Sequence, residues 1–401
     1  MENIRLKENI FWVGAIDWNV RNFHGHTYAT ERGTTYNAYL IIDDKVTLID
    51  AVHKDFSQGL FDNIRGIVPL EKIDYIVVNH LEPDHTGSLP ELLKLAPKAK
   101  LYGSFKCKEG LEKYYFIKPD FQVVRTGEVL KLGKRSLSFI EAPMLHWPDS
   151  MFSYCPEEKI LFPNDAFGQH LATSGRFDDT VDNCALMDEA AKYYGNILWP
   201  LSSLVVRKIE QVLKSGIPIE MIAPSHGVIW RKDPAKIINS YLYWGKNSSK
   251  EKVVIVYETM WGNTAKLASV IAGALMDSGI EVKLFDLNAS SRTQIIKEML
   301  DAKGFVIGSS THDNDMLANM AGFLELLKGF APRERLGFCF GSYGWAGGAV
   351  ESIENKLKSF GVNLPVESFS VKFTPSQEEI KSCYEAAIQF AKEVKNVLRK
   401  M

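Results

Sequence analysis

The feature that most narrows the fold is a change of rhythm along the chain. From residue 253 onward, short apolar runs at 253–257, 282–287, 304–308, 337–340 and 366–371 alternate regularly with helical patterns. Antiparallel strands can be joined by a tight turn, but parallel strands need a long crossover, which a helix supplies. The alternation therefore predicts a doubly wound sheet of five parallel strands with helices packed on it. Before residue 250 the pattern differs. Runs at 38–42, 46–49, 73–78 and 136–140 read as strands separated by turn residues, with helical patterns near 88–95, 187–197 and 204–214. The polar stretch 245–252 reads as a linker. The expectation is a mixed, layered domain over 1–250 and an α/β domain over 251–401, the low end of the two or three domains that 401 residues suggest.

Composition sets the class of chain. With 46% hydrophobic and 24% charged residues it can bury sizeable cores, which excludes a disordered or collagen-like polymer. Lys and Arg total 47 against 49 Asp and Glu, so no global positive field exists to hold nucleic acid or acidic lipid. The cysteines at 107, 155, 184, 339 and 383 form no Cys-x-x-Cys pair. That argues against a disulfide framework or a thiolate-held cluster, and for a reduced compartment. The first residues lack the pattern of a signal peptide, and no stretch approaches the roughly 18 apolar residues of a membrane span. A cytoplasmic protein without nucleic-acid or membrane partners is expected.

The densest chemical signal is His80-Leu81-Glu82-Pro83-Asp84-His85, directly after the apolar run 73–78. Two imidazoles and two carboxylates at a strand end, where the backbone turns, can surround one or two cations. A polar loop with a helix N-cap would also use Asp and His, so other residues have to decide. The arrangement recurs. Phe139-Ile140-Glu141-Ala142-Pro143 leads to His146, Ile160-Leu161-Phe162-Pro163-Asn164 to Asp165, and Met221-Ile222-Ala223-Pro224-Ser225 to His226. Each candidate follows an apolar strand, where a sheet delivers its loops to one rim.

These residues carry a resemblance. A His-x-His-x-Asp-His signature with downstream His, Asp and His is the metal frame of the metallo-β-lactamase fold, and this chain resembles it with Glu82 replacing the second histidine. That replacement is similar to the flavodiiron proteins, also called A-type flavoproteins, and added carboxylate oxygen favours iron over zinc. The resemblance implies a metallo-β-lactamase-like αββα sandwich for 1–250. One iron would be held by His80, Glu82 and His146, the other by Asp84, His85 and His226, with Asp165 bridging. It also implies that His24, His170 and Tyr193 lie near the metals, as donors to bound oxygen or nitrosyl species.

In the second half, the first strand-to-helix turn reads Thr259-Met260-Trp261-Gly262-Asn263-Thr264. Hydroxyls, free backbone N–H groups and a glycine at a helix start suit a mononucleotide phosphate, although a plain N-cap would look similar. The turn is neither a dinucleotide fingerprint nor a lysine-bearing P-loop. Two later strand ends should meet it: Ser310, Thr311, Asp313 and Asn314, and then Gly341, Ser342, Tyr343, Gly344, Trp345 and Gly347. Tyr343 and Trp345 suit stacking on a flavin ring. The whole half resembles flavodoxin, which implies FMN.

The joint resemblance implies a reductase of dioxygen, nitric oxide or both, with FMN relaying electrons to a non-haem diiron centre. Two Cys-x-x-Cys pairs, as rubredoxin would need, are not found, so a separate donor such as rubredoxin or a reduced deazaflavin is expected. A head-to-tail homodimer, or a dimer of dimers, would bring each FMN to the irons of the other copy. Two readings compete: a zinc hydrolase with a metal-bound hydroxide nucleophile, and an electron carrier with a structural metal domain. Which gas is preferred stays open.

Overall fold

The computed structural model describes residues 4–25 and 27–400. Two compact units emerge. The first runs to Tyr193 and takes in Ser203–Leu242, and the second takes Tyr194–Ser202 and everything from Tyr243.

The first unit is a pair of facing sheets. One has seven strands in the order Ile4–Lys7, Ile10–Trp12, Tyr39–Ile41, Val46–Ile49, Ile73–Val78, Lys100–Gly103 and Phe121–Val123. The other has five, in the order Val129–Lys131, Ser136–Glu141, Met151–Cys155, Ile160–Phe162 and Met221–Ile222. Successive side chains of a strand point to opposite faces, and Ile73–Val78 shows the result. Val77 joins Tyr39, Phe139, Met151 and Phe162 in the core between the sheets. Ile76 and Val78 instead join Leu60, Leu92 and Leu111 under the helices Ser57–Arg65, Leu89–Leu95 and Phe105–Tyr115. A strand apolar on both faces is one covered on both faces, hence its unbroken apolar run.

In the second unit, five parallel strands run in the order Glu281–Asp286, Lys250–Glu258, Ala302–His312, Leu336–Tyr343 and Phe369–Lys372. Numbered along the chain this is 2-1-3-4-5, the flavodoxin-like order, and its reversal between the first and third strands opens a crevice at their carboxyl ends. Helices Asn263–Asp277 and Gln377–Lys400 cover one face, with Leu267, Ile271, Phe390 and Val394 packed on Val253, Ile255, Val306 and Phe338. Asp315–Met316 folds back antiparallel on the third strand through Asp313 and Asn314, both with left-handed backbone.

Three segments depart from the sequence expectation. The helix expected over 187–197 spans Asn183–Tyr193 and gives way to a wider turn over Tyr194–Leu198. That turn packs with the second unit, where Asn196 Nδ2 donates to Thr293 O at 3.0 Å and Trp199 stacks on Phe330. The polar stretch read as a linker is partly strand, because Lys250 to Lys252 open the first strand of the second unit. Lys252 is polar yet buried, since Glu298 and Asp301 neutralise its ammonium. The last strand begins at Phe369 and not at 366. No helix among the described residues is long and apolar enough to cross a membrane.

Candidate functional site

The carboxyl ends of both sheets of the first unit are tied together beneath one rim. Asp50, in left-handed backbone just past Val46–Ile49, accepts the Asn79 N–H at 2.7 Å and side-chain amides of Asn79 and Asn164 at 3.3 Å each. Asn79 accepts the Ser153 hydroxyl at 2.6 Å through Oδ1, and its carbonyl accepts the Met151 N–H at 2.9 Å. Above this knot the chain turns through His80 to Glu82 into the short helix Pro83–Thr86, which Thr86 closes back onto Leu81 O at 2.6 Å. Helix Phe105–Tyr115 lies directly on this loop, and a Cβ at Gly110 would stand 1.9 Å from Leu81 Cδ2. Only glycine allows that approach. The His226 loop is fixed from the other sheet by Asn37 Nδ2 and Tyr39 Oη, which donate to Pro224 O at 2.8 and 2.6 Å.

The sequence-predicted residues meet here in two groups. His80, Glu82, His146 and Asp165 offer ligand-type atoms within 4.8 Å of one another, and so do Asp84, His85 and His226. Asp165 divides its oxygens between them. Its Oδ2 lies 3.1 Å from His146 Nε2 and 3.5 Å from His80 Nε2, and its Oδ1 lies 3.0 Å from His85 Nε2 and 3.5 Å from His226 Nε2. Glu82 Oε2 is 3.3 Å from both His80 and His146, and Asp84 Oδ2 is 3.2 Å from His226. The outer imidazole nitrogens are engaged elsewhere, His80 Nδ1 by Asp149 Oδ2 at 3.1 Å and His226 Nδ1 by the Thr35 carbonyl at 2.6 Å. Such outer partners fix which nitrogen faces a metal.

Electrostatics test whether cations fit. Burial works against a charged His80, yet hydrogen bonds to Asp149 and Glu82 hold its pKa up at about 10. His146 is likewise held at about 10 against burial by Asp165 and Glu82, and His85 at about 9 by Asp84 and Asp165. Burial alone would raise the Asp165 carboxyl, but the surrounding imidazoles hold it well below the usual range. Among the described residues no Lys or Arg pairs with Glu82, Asp84 or Asp165, so the field of three carboxylates is left for cations to satisfy. Both Asp165 oxygens, Asp84 Oδ1 and His85 Nε2 are buried without a hydrogen bond of acceptable direction. Buried polar atoms are rarely left so. Mixed imidazole and carboxylate donors, close together and with several buried atoms left unpaired, fit a two-cation site of iron type.

The second unit presents a cleft of about 380 Å³ at the carboxyl ends of its strands, bordered by Met260, Trp261, Asn263, Ser310, Tyr343 and Trp345. Thr311, Asp313, Ser342 and Gly344 complete the predicted residues that reach it. Gly262, at φ +86°, starts helix Asn263–Asp277 in a conformation that glycine adopts at no steric cost. Behind the cleft, the Thr264 hydroxyl lies 2.9 Å from those of both Ser310 and Ser342, a buried cluster that fixes three strand ends in register. Trp261 and Trp345 are 88% and 89% exposed, flat apolar surfaces left open by the described residues. The cleft therefore fits a planar ring over a helix N-terminus. Thr259, Gly262, Thr264, Asn314, Gly341 and Gly347 do not border it. Thr259 accepts the Gly262 N–H at 3.1 Å, and Gly341 lies in the sheet, where an added Cβ would stand 2.5 Å from Ser309 O.

Residues 34–227 match the family model described as ODP family beta lactamase, and residues 255–386 match the flavodoxin model. The chain is 48% identical over 390 residues to a nitric oxide reductase of Moorella thermoacetica, covering 97% of this chain and 98% of that one. It superposes on the rubredoxin oxygen:oxidoreductase of Desulfovibrio gigas with a TM-score of 0.96 at 37% identity, covering 99% and 100%. The flavodiiron protein of Giardia intestinalis gives 0.95 at 34% identity, covering 100% and 98%. This chain belongs to the flavodiiron protein family.

Three further residues were expected near the metals of such a protein. His24 Nε2 lies 3.2 Å from Glu82 Oε1. His170 is buried, takes Thr34 Oγ1 at 2.8 Å on Nδ1 and has Nε2 unpaired, its ring 4.8 Å from that of His226. Burial, then the charges of His226 and His24, push its pKa well down, so it is neutral. Tyr193 stands 5.1 Å from His170, its phenol held protonated first by burial and then by Asp165. Sequence reasoning missed Asp149, Thr35 and the ring of Phe23 stacked on His170 at 4.4 Å, and at the cleft it missed His312 and Phe373. Phe373 follows the fifth strand, so the strand-end rule that found Tyr343 could have found it.

Proposed function

We propose that this flavodiiron protein reduces nitric oxide, dioxygen or both, with two irons in the paired ligand groups and one FMN in the cleft of the second unit. The observation that carries the reading is Asp165, whose two oxygens serve two separate ligand groups in a chain that also bears a flavin-type cleft. In it, His80, Glu82 and His146 would hold one iron and Asp84, His85 and His226 the other, with Asp165 offering an oxygen to each. When bound, a diferrous centre and a reduced FMN supply two electrons each, enough together to take dioxygen to two waters, while half of that couples two nitric oxide molecules to nitrous oxide.

The chain's own residues then hold and protonate. His24 positions the free oxygen of Glu82. Neutral His170 and protonated Tyr193 put polar atoms beside His226 in a buried space, where a hydrogen bond to substrate counts for more than it does in water. Trp261, Tyr343 and Trp345 would cover the flavin, and the Ser310 and Ser342 hydroxyls with the adjoining helix start at Asn263 would receive its phosphate. Electrons come from a separate redox partner, and the Desulfovibrio relative's name points to rubredoxin. Copies pair head to tail, singly or as a dimer of dimers, in the cytoplasm.

The test is stopped-flow oxidation of fully reduced protein by each gas, with iron and FMN measured on the same sample. Consumption of either gas is expected, and Asp165→Ala should abolish it while sparing flavin reduction. Zinc in place of iron, or neither gas consumed at full loading, overturns the reading. A monomerising variant should keep both cofactors and lose flavin-to-iron transfer; retained transfer refutes the pairing.

A further inference from the structure

We propose that the cavity of about 470 Å³ beside Asp84 is the route by which protons enter and water leaves the metal centre, with His53 as the relay at its wall. The inference rests on the reductase reading. Taking dioxygen to two waters consumes four protons with its four electrons, and coupling two nitric oxide molecules to nitrous oxide and one water consumes two of each. The electrons would come from the donor through FMN, but the seven candidate ligands would be engaged by the irons and could not supply the protons. A separate path is required.

The cavity meets both halves of the site. It touches Asp84 of one ligand group and His24, whose Nε2 stands 3.2 Å from Glu82 of the other. Its wall carries the carboxylates of Asp17, Asp55 and Asp84 and no Lys or Arg. Such carboxylates repel anionic ligands, attract protons and give ordered water several partners.

Of the two imidazoles on this wall, His24 is engaged by Glu82, which leaves His53 to hand protons on. Its ring stacks on Tyr36 with centroids 5.7 Å apart at 26°. Nδ1 accepts the Asp55 N–H at 3.3 Å and lies 3.5 Å from the Asp55 carboxylate. Among the described residues, Nε2 has no protein partner. The groups facing the ring are Asp55 from its own turn, Tyr36, whose phenol donates to Asp17 at 3.4 Å, and Asp84 and His24 across the cavity. Tyr36 stays a phenol, raised far from titration by burial and then by Asp17, so it fixes the ring without competing for the proton. An imidazole can take a proton on one ring nitrogen and release one from the other, which is the chemistry of a proton shuttle.

The test uses the iron- and FMN-loaded enzyme with His53→Ala and His53→Gln, at saturating gas, in light and heavy water. Turnover should fall about tenfold, less than the roughly 10²–10⁴-fold of direct acid–base catalysis because water still enters the cavity. The solvent isotope effect should grow, and FMN reduction by the donor should not change. Imidazole, at a level without effect on the wild type, should restore His53→Ala. His53→Gln keeps an acceptor for the Asp55 N–H but no proton relay, and should be as slow as His53→Ala. Wild-type turnover and isotope effect in both variants overturn the proposal, and so does slowing that follows iron loss and ignores imidazole. A wild type that consumes neither gas overturns the reductase reading instead.

Discussion

Gly110→Ala makes the packing of the ligand loop measurable. Alanine in a helix interior is favoured over glycine by about 1 kcal/mol, so at an open position in helix Phe105–Tyr115 the change would stabilise. Here the added Cβ would lie 1.9 Å from Leu81 Cδ2 and 3.2 Å from its Cγ. Leu81 is only 5% exposed and sits between His80 and Glu82, so it has little room to turn away. Overpacking of this kind costs about 1–3 kcal/mol, which outweighs the helix gain. Gly110→Ala should therefore destabilise the iron-loaded protein by up to about 2 kcal/mol, and lower its iron occupancy, because the strain is released through the ligand loop. In a Leu81→Ala background the obstacle is gone and the same substitution should change sign, stabilising by about 1 kcal/mol. Thermal unfolding of the four proteins of the cycle, with iron measured on each, reads the coupling directly. Equal effects of Gly110→Ala in both backgrounds would refute the reasoning.

Asp149→Ala removes the partner of His80 Nδ1 and of the Leu81 N–H at 2.7 Å, and iron competition assays should show affinity reduced about 10–100-fold, with Asp149→Asn between the two. Trp345→Ala should weaken FMN binding in fluorescence titrations, whereas Gly347→Ala, outside the cleft, should leave it unchanged. Glu298 is buried, which would raise its carboxyl, but Lys252 and Lys297 pull it down to about 2 from 4.5. A carboxyl lowered in the folded state stabilises fully above its unfolded pKa. This contribution should be complete above about pH 4.5 and be lost as pH falls toward 2, and unfolding of Glu298→Gln should lack that slope.

The second unit was legible because its signals are local: each strand is an apolar run, each crossover a helix, and the strand-end rule places Tyr343 and Trp345 at one crevice. The six-residue run from His80 to His85 was legible for the same reason. What escaped depends on partners distant in sequence. Lys252 looks like linker chemistry until Glu298 and Asp301 are seen beside it. Thr35 reaches His226 through its backbone carbonyl, which no side chain announces. Asp149 lies three residues past His146 and reads as an ordinary turn residue, since its task is set by His80 on the other sheet. The wide turn at Tyr194 interrupts a helical pattern because its contacts lie in the second unit.

The knot of Asp50, Asn79, Asn164 and Ser153 joins strand ends from both sheets directly under the metal rim. Whatever holds the rim together also holds the sheets together. Any ion that binds the folded chain and not the unfolded one adds to its stability by mass action, and here that gain is delivered at the seam of the sandwich. A cell short of iron would thus make not only idle copies but looser ones, opened more often to proteases. Its stock of this protein would track its iron supply without any dedicated sensor.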